Sequence, residues 1–173
     1  MRILRLAPIL LMPLALAGCG LRPLYGDGSA GSVAQTLATV EVAPIGGQSG
    51  WLVRNALNDR LHHQPTTARY RLEVELDDQI AGFGVSTNNS ITRERRTLRA
   101  RYRLVDSATG AVLLDQTAGV DAGIDVAASE YATVAAEQTA LERLSGMLAD
   151  QIVARVATFA AREADKAAVP PKP

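Results

Sequence analysis

Cysteine and histidine are nearly absent from this sequence of 173 residues, which contains one cysteine and two histidines. With Cys19 alone, no internal disulfide can form. His62 and His63 are adjacent at a predicted helix end, so they do not share a helix face, and no further histidine or cysteine could complete a metal site. We expect them to contact the helix C-terminal dipole or to lie on the surface. We therefore expect neither a metal ion nor a cofactor.

A set of catalytic residues is also lacking. Ser49 in Gly-Gln-Ser-Gly does not have the Gly-x-Ser-x-Gly spacing of a nucleophile elbow between a strand and a helix. We predict that it caps the helix that follows instead. Elsewhere no acid, base and nucleophile can be combined, which argues against an enzyme, including one that acts on the cell wall.

The N-terminus has the three-part pattern of a secretory signal. Arg2 and Arg5 precede an apolar stretch over 6–16, and the stretch ends in Leu-Ala-Gly-Cys19. It is shorter than the roughly 20 residues that span a bilayer. Leu-Ala-Gly-Cys is the lipobox pattern of bacterial lipoproteins, in which the cysteine thiol receives a diacylglycerol. We therefore predict a signal peptide over 1–18 and a lipidated Cys19, whose acyl chains anchor the protein to a membrane.

The residue after this cysteine and the overall charge restrict the location and the partners. Gly20 stands where an aspartate would hold a lipoprotein in the inner membrane, which favours the cell outer membrane. The whole chain has 18 basic and 18 acidic residues, and the predicted leader removes two arginines, so the mature net charge is −2. No general electrostatic attraction to nucleic acid follows from this charge.

Composition divides the remaining chain into three segments. We predict a lipidated N-terminus and spacer over 19–35, with a spacer rich in glycine, serine and alanine from residue 27. A single domain over 36–162 is long enough for one hydrophobic core. The last residues, 163–173, are predicted to form a disordered tail.

The spacing of apolar residues predicts an α+β fold. Alternation indicates half-buried strands, and apolar residues three or four apart indicate helices that cover a core. The elements are strand one over 37–45, helix one over 51–61, strand two over 70–77, strand three over 93–104, strand four over 111–117 and helix two over 129–162. The order β-α-β-β-β-α predicts a two-layer sandwich, a four-stranded mixed sheet with two helices packed on one face. Strand one, if it adjoins strand two, is parallel to it.

Strand three carries a row of arginines on its polar face. Its core side is predicted to hold Leu98, Ala100, Tyr102 and Leu104, and its other side Arg93, Arg95, Arg99, Arg101 and Arg103, with Arg96 nearby. Neighbouring side chains on one face of a strand are about 7 Å apart, so exposed like charges there repel.

One interpretation of this row is structural. A hairpin that turns near 86–88 would place Glu75 opposite Arg99 and Glu73 opposite Arg101, and Arg103 would then meet Arg71. Arg93, Arg95 and Arg96 would be left without an acidic partner.

The other interpretation is that the row binds an anion. An arginine side chain grips phosphate or carboxylate with two parallel hydrogen bonds, and the abundant polyanion of a bacterial envelope is lipopolysaccharide. The candidate ligand-binding residues are Arg93, Arg95, Arg96, Arg99 and Arg101, of which the first three lie nearest the loop.

The segment between strands two and three is an apolar loop that contains glycine. Phe83 lies between Gly82 and Gly84, and we predict that it is not packed in a strand. Phe83 and Val85 could insert into a partner or fold back on the domain, and the sequence leaves both open.

Two short motifs resemble those of one known family. The segment Cys-Gly-Leu-Arg-Pro-Leu-Tyr-Gly over 19–26 resembles the Cys-Gly-Phe-x-Pro-Leu-Tyr start of the lipopolysaccharide-assembly lipoprotein family LptE. Leu-Val-Arg-Asn-Ala-Leu over 52–57 is similar to that family's Leu-Arg-Asn-x-Leu helix. Leu21 departs from the family pattern, which has phenylalanine there. The element order also agrees with the family fold.

The resemblance implies a function without catalysis. Such a protein is a plug inside a large outer-membrane β-barrel, the translocon subunit LptD, which it helps to assemble while it helps deliver lipopolysaccharide to the cell surface. The family's loop between strands two and three reaches the barrel wall, which by position implies 80–92 here. Basic residues around that loop are implicated in binding lipid A, which by position implies Arg93, Arg95 and Arg96.

An alternative function remains open at this point. The protein could be an auxiliary lipid-binding lipoprotein of an envelope ABC-type transporter. That function requires an apolar groove between helix two and the sheet, and it would have inner-membrane partners.

Overall fold

The computed structural model describes residues 31–62, 68–85, 91–126 and 129–168. The predicted signal peptide, Cys19, His63 and the turn near 86–88 lie outside these residues. The elements are α1 (Ser32–Ala38), β1 (Val40–Val42), α2 (Gly47–Leu61), β2 (Tyr70–Val85), β3 (Ile91–Asp106), β4 (Val112–Asp125) and α3 (Glu130–Ala168). None of the described helices is both long and apolar enough to cross a membrane.

The four strands form one mixed sheet in the order β1-β2-β3-β4. β1 runs parallel to β2, and the other neighbouring pairs are antiparallel. This confirms the predicted α+β class and the parallel first pair, with α1 as an additional helix before β1. A parallel pair needs a crossover connection, and α2 is part of it.

The core lies between one face of the sheet and the helices. Alternate residues of β2 and β3 are buried, as predicted, because only one face of the sheet is covered. The long helix supplies a continuous apolar stripe at helical spacing. The largest fully buried side chains include Tyr102, Leu57, Leu72, Leu98, Leu104, Leu141, Leu144, Leu148 and Ile152.

The first predicted strand is wrong over its N-terminal part. Helix α1 occupies 32–38, within the predicted spacer and the start of the predicted strand. Leu37 on this helix is buried in the core, and the hydroxyl of Thr36 donates a hydrogen bond to the Ser32 carbonyl. The alternation over 40–42 does form a strand, but it is only three residues long.

Helix α2 begins earlier than predicted, at Gly47. Ser49 therefore lies inside the helix, and the residue at the N-cap is Gly46, without a side-chain cap hydrogen bond. The predicted Ser49 cap is wrong. Gly50 allows a close approach here, because a Cβ atom would lie 2.7 Å from the carbonyl oxygen of Ile45. The helix ends at His62 in the left-handed conformation, with its N–H donating to the Asn58 carbonyl.

The β2–β3 hairpin is longer than predicted, and its pairing is displaced by two residues. Asp77 lies opposite Arg99, Glu75 opposite Arg101 and Glu73 opposite Arg103. The prediction that Arg103 meets Arg71 is wrong, and Glu73 instead pairs with both arginines, at 2.7 Å from Arg71 and 3.1 Å from Arg103. This register replaces a like-charge contact with two ion pairs. A displacement by two leaves every side chain on its predicted face.

The turn between β3 and β4 is built around Asp106. The Asp106 carboxylate accepts hydrogen bonds from the N–H groups of Ala108 and Thr109 and from the Thr109 hydroxyl. Those from Thr109, with smaller contributions from Ala108 and Arg69, lower the pKa of Asp106. Gly110 has a φ of 72°, a conformation that favours glycine. Beyond the turn, β4 runs to Asp125 rather than ending at 117.

Helix α3 extends past the predicted domain boundary, to Ala168. The predicted disordered tail is therefore wrong over 163–168, while 169–173 lie outside the described residues. At the other end of the helix, Tyr131 is 85% exposed, although its spacing placed it on the apolar stripe. Val134 is also exposed. In these first turns only one side of α3 faces the core, since Thr133 is buried.

Candidate functional site

The arginine row lies on the face of the sheet opposite the helices, here called the outer face. Exposed and buried residues alternate along β3 from Arg99 to Arg103. The row crosses the middle of the sheet, since β3 pairs with β2 on one side and β4 on the other. Acidic residues on both neighbouring strands can therefore reach it.

The two arginines nearest the hairpin tip have acidic partners on β4. Arg93 lies 3.3 Å from Asp125, and Arg95 lies 3.9 Å from Asp121. The interpretation that they lack acidic partners is wrong, because the predicted strand four stopped before both aspartates. These side chains are largely exposed, 66% for Arg93 and 59% for Arg95. Exposed pairs contribute little stability, about 0–1 kcal/mol, so another anion can replace the aspartates at low energetic cost.

Farther from the tip the pairs are closer. Arg101 donates two hydrogen bonds to Asp115, at 3.1 and 2.8 Å, and these lower the pKa of that carboxyl group. Arg103 pairs with Glu73. Arg99 has no ion pair or hydrogen bond among the described residues, and the acidic residue opposite it, Asp77, accepts a hydrogen bond from Gln79 instead. The row is therefore a charge-balanced network that contains one unpaired arginine.

Arg96 is separate from the row, because it lies on the helix side of the sheet. It donates two hydrogen bonds to Asp78, at 2.8 and 2.7 Å, and one to the backbone carbonyl of Glu137 on α3. The two paired side chains are only 13% and 19% exposed. This bidentate pair ties the hairpin to the long helix, and the sequence did not reveal Asp78 as the partner.

The hairpin tip adds apolar surface to the exposed arginines. Phe83 lies in β2, contrary to the prediction that it is outside any strand, and its ring centroid is 5.4 Å from the guanidinium carbon of Arg95. Phe83 and Ile91 are 41% and 52% exposed. Val85 pairs with Ile91 through its backbone. Ile91 is separate from this group, because its side chain lies 2.8 Å from the position that a Cβ atom of Gly82 would occupy, on the side of β2 opposite Phe83. We call Phe83, Arg93 and Arg95 the tip cluster.

A carboxyl pair that sequence reasoning missed lies beside Arg96. Glu94 points to the helix side, where its Oε2 atom is buried without a hydrogen-bond partner among the described residues. Burial raises the pKa of Glu94, and the nearby carboxylate of Glu137 raises it further. The ionised form of Glu94 is thus disfavoured in the folded protein. Alternation along β3 could have placed Glu94 on the helix side, whereas its contact with Glu137 depends on how the helix packs.

We expect this pair to make stability depend on pH. A raised pKa means that the folded state holds the proton more tightly, so the stabilisation is present at low pH and is lost as pH rises from about 4.5 through the raised value. Glu94→Gln should abolish part of this fall and raise the melting temperature at neutral pH. Thermal unfolding between pH 4 and 8 measures the melting temperature of both proteins, and Glu41→Gln, at an exposed glutamate, is the control. Parallel curves for the wild type and Glu94→Gln would contradict the expectation.

Two clefts lie between the long helix and the sheet in the described part of the chain. One, of about 370 Å³, is partly polar and is lined by Tyr102, Thr117, Ala118, Gln151, Ala154, Arg155 and Thr158. The other, of about 390 Å³, lies near the C-terminal end of the helix and includes four charged residues among its lining, Arg69, Asp106, Glu163 and Lys166. These residues do not form the apolar groove that the transporter alternative requires. Within the described ranges, no group of three or more histidine, cysteine, aspartate or glutamate residues could hold a metal ion.

Solved structures with this fold come from several bacterial lipoproteins. A lipoprotein of Caulobacter crescentus CB15 is 29% identical, with a TM-score of 0.66, and the match covers 77% of this chain and 98% of that one. Rare lipoprotein B of Shewanella oneidensis is 11% identical (TM-score 0.55, 71% and 95% covered). Lipoprotein B of Nitrosomonas europaea is 16% identical (TM-score 0.54, 70% and 82% covered). The last two show likeness of fold alone.

A family model identifies the chain more directly. No curated protein matches this sequence. The model of the family described as "LptE: Lipopolysaccharide-assembly" matches residues 37–156, which is more than half of the chain. The matched region runs from the end of α1 through most of α3 and contains the whole sheet. This chain therefore belongs to the LptE family of lipopolysaccharide-assembly proteins.

Proposed function

We propose that this protein is a non-enzymatic, lipid-anchored subunit of the outer-membrane lipopolysaccharide translocon. It plugs the LptD barrel, helps that barrel to assemble, and binds lipopolysaccharide for delivery to the cell surface. Its anchor is the diacylglycerol on Cys19, which places the folded domain at the periplasmic side of the outer membrane. Membership of the lipopolysaccharide-assembly family supports the general role.

The observation that carries the binding proposal is the composition of the tip cluster. Two exposed arginines, Arg93 and Arg95, lie beside the exposed side chain of Phe83. Lipopolysaccharide combines phosphate groups with acyl chains, so it offers one surface to guanidinium groups and another to apolar side chains.

The five candidate arginines divide by environment. Arg93 and Arg95 have weak, exposed partners, and we assign direct contact with lipopolysaccharide to these two. Arg101 is held by Asp115, and Arg96 is held between the sheet and α3. Arg99 is free of ion pairs among the described residues but lies closer to the middle of the sheet than to the tip.

The outer face supports the plug role. A barrel lumen is polar, so a domain inside it can keep a charged sheet face without a second apolar layer over that face. Here the outer face is covered by ion pairs such as Arg101–Asp115 and Arg103–Glu73. Positive and negative side chains nearly balance on this face, so it can lie against a barrel wall that carries polar groups of both signs.

Affinity purification of the lipidated protein from outer membranes in mild detergent tests the plug role. We expect a large β-barrel protein to co-purify in about equal amount, and mass spectrometry of the mature N-terminus to find acylated Cys19. Purification without any large barrel would contradict the plug role. Recovery with inner-membrane transporter subunits would favour the alternative function instead.

A further inference from the structure

The outer edge of β4 is open along its length. β4 pairs with β3 on one side, and no described strand pairs with its other edge. Natural proteins often protect such an edge with charged side chains, proline, a bulge or a covering helix, because its unpaired N–H and C=O groups can accept another strand. The 14 residues of β4 contain neither lysine nor proline, and the three aspartates of β4 lie outside 116–120. The edge is therefore chemically competent to bind an extended segment.

An unpaired arginine reaches this edge from the outer face. Arg99 lies opposite Gly119 of β4, and its Cγ atom is 3.4 Å from the position that a Cβ atom of Gly119 would occupy. Since Gly119 has no side chain, Arg99 can pass over β4 towards the open edge. Arg99 also lacks an ion pair among the described residues. Its guanidinium is thus available to a carboxylate on a strand added beside β4.

A second unpaired arginine lies on the helix side of the same edge. Arg155 of α3 lines the cleft of about 370 Å³ together with Thr117 and Ala118 of β4. It is exposed and interacts electrostatically with the Tyr102 hydroxyl, and it has no acidic partner within the described part of the chain. The edge over 116–120 is therefore flanked on each face of the sheet by one guanidinium group without an acidic partner among the described residues.

We propose that the β4 edge over 116–120 binds an extended strand of a partner protein that carries two consecutive acidic residues. Side chains alternate between the faces of a strand, so neighbouring carboxylates would reach Arg99 on the outer face and Arg155 on the helix side. The backbone of the added strand would supply affinity through main-chain hydrogen bonds, and the two ion pairs would supply specificity. This goes beyond the proposed function and does not depend on lipopolysaccharide contacts at the tip.

A second copy of this chain does not fit the site. The acidic residues of β4 are Asp115, Asp121 and Asp125, and all three form their ion pairs on the outer face. A β4 strand from another copy would therefore offer no carboxylate to Arg155. It would also bring a second long helix against α3, which packs over both β3 and β4. A lone strand avoids both problems.

Binding of two matched peptides to the full-length lipidated protein in detergent tests the proposal. The probes are cyclised β-hairpins of about 12 residues whose free strand has either Glu-Glu or Gln-Gln at its centre. We expect the Glu-Glu hairpin to bind at least tenfold more tightly and to slow amide hydrogen exchange over 116–120. Arg99→Ala and Arg155→Ala should each remove most of this preference, whereas Arg143→Ala, an exposed arginine elsewhere on α3, should leave it unchanged.

Other outcomes would overturn the proposal. Equal binding of the two hairpins would show that the arginines do not recognise the acidic residues. Slower amide hydrogen exchange in β1 or β2 rather than in β4 would show that the strand binds elsewhere. Purified lipopolysaccharide serves as the competing probe. If it protects 116–120 in a manner that depends on Arg99 and Arg155, while the Glu-Glu hairpin does not, the two arginines form an anionic-lipid site and not a strand-binding edge.

Discussion

Arg96→Ala is expected to lower the free energy of unfolding by about 3 kcal/mol. The substitution leaves the Asp78 carboxylate largely buried without its bidentate partner, and it removes a hydrogen bond to the Glu137 carbonyl. An uncompensated charge with 19% exposure carries a large desolvation cost. Urea unfolding, monitored by circular dichroism, measures the change.

A control and a double variant identify the cause. Arg95→Ala removes an exposed arginine that lies 3.9 Å from Asp121, and it should cost less than 1 kcal/mol. Combining Arg96→Met with Asp78→Leu removes both buried charges and should restore most of the stability lost in Arg96→Ala. An equal loss for Arg95→Ala and Arg96→Ala would show that burial of the Arg96 pair does not matter.

Most of the fold could be predicted from the sequence because burial acts on alternate positions. Over 70–77 in β2 and 98–104 in β3, apolar and polar residues alternate, because only one face of the sheet is covered. The same period explains why an error of two residues in the register left the faces of Glu73 and Glu75 correct. The register itself depends on which charges meet across the hairpin, and hydrophobic alternation carries no information about that.

The element boundaries failed where tertiary contacts override local patterns. Residues 32–38 are helical, although their composition is typical of a spacer, because Leu37 is buried in the core from that helix. Phe83 was excluded from a strand on the basis of its flanking glycines. The backbone pairing of Val85 with Ile91 continues the ladder past them.

The sequence could predict which arginines form the candidate site, but not which acidic residues they contact. Alternation placed Arg93, Arg95, Arg99 and Arg101 on one face. The prediction grouped Arg96 with them, and the structure instead places it on the helix side, paired with Asp78. The partners could not be found, because Asp121 and Asp125 follow the end of the predicted strand four. Pairing with a strand distant in sequence decides which arginine of the row lacks an acidic partner, and among the described residues of the row it is Arg99.

Removing both exposed arginines of the tip cluster should weaken binding of lipopolysaccharide about 30-fold at low salt. The double variant Arg93→Ala, Arg95→Ala removes two contacts with phosphate. Each contact contributes a net free energy of about 1 kcal/mol at an exposed site, because the arginine gives up its pair with an aspartate when it binds phosphate. Because these contacts are screened by ions, the difference from wild type should shrink as salt rises from about 0.05 to 0.5 M. Binding of purified lipopolysaccharide to the lipidated protein in detergent, measured by calorimetry over this range, gives both quantities.

Arg101→Ala with Arg103→Ala is the matched control, since it removes two arginines from the same face of the same strand. Both are held by close acidic partners, at 2.8 Å from Asp115 and 3.1 Å from Glu73, and lie far from the tip. Binding should therefore change less than threefold. Equal weakening by the two double variants would mean that the whole face attracts the ligand without a defined site. If neither variant weakens binding, the arginines of the tip cluster do not contact lipopolysaccharide, because removing both of their charges then has no effect.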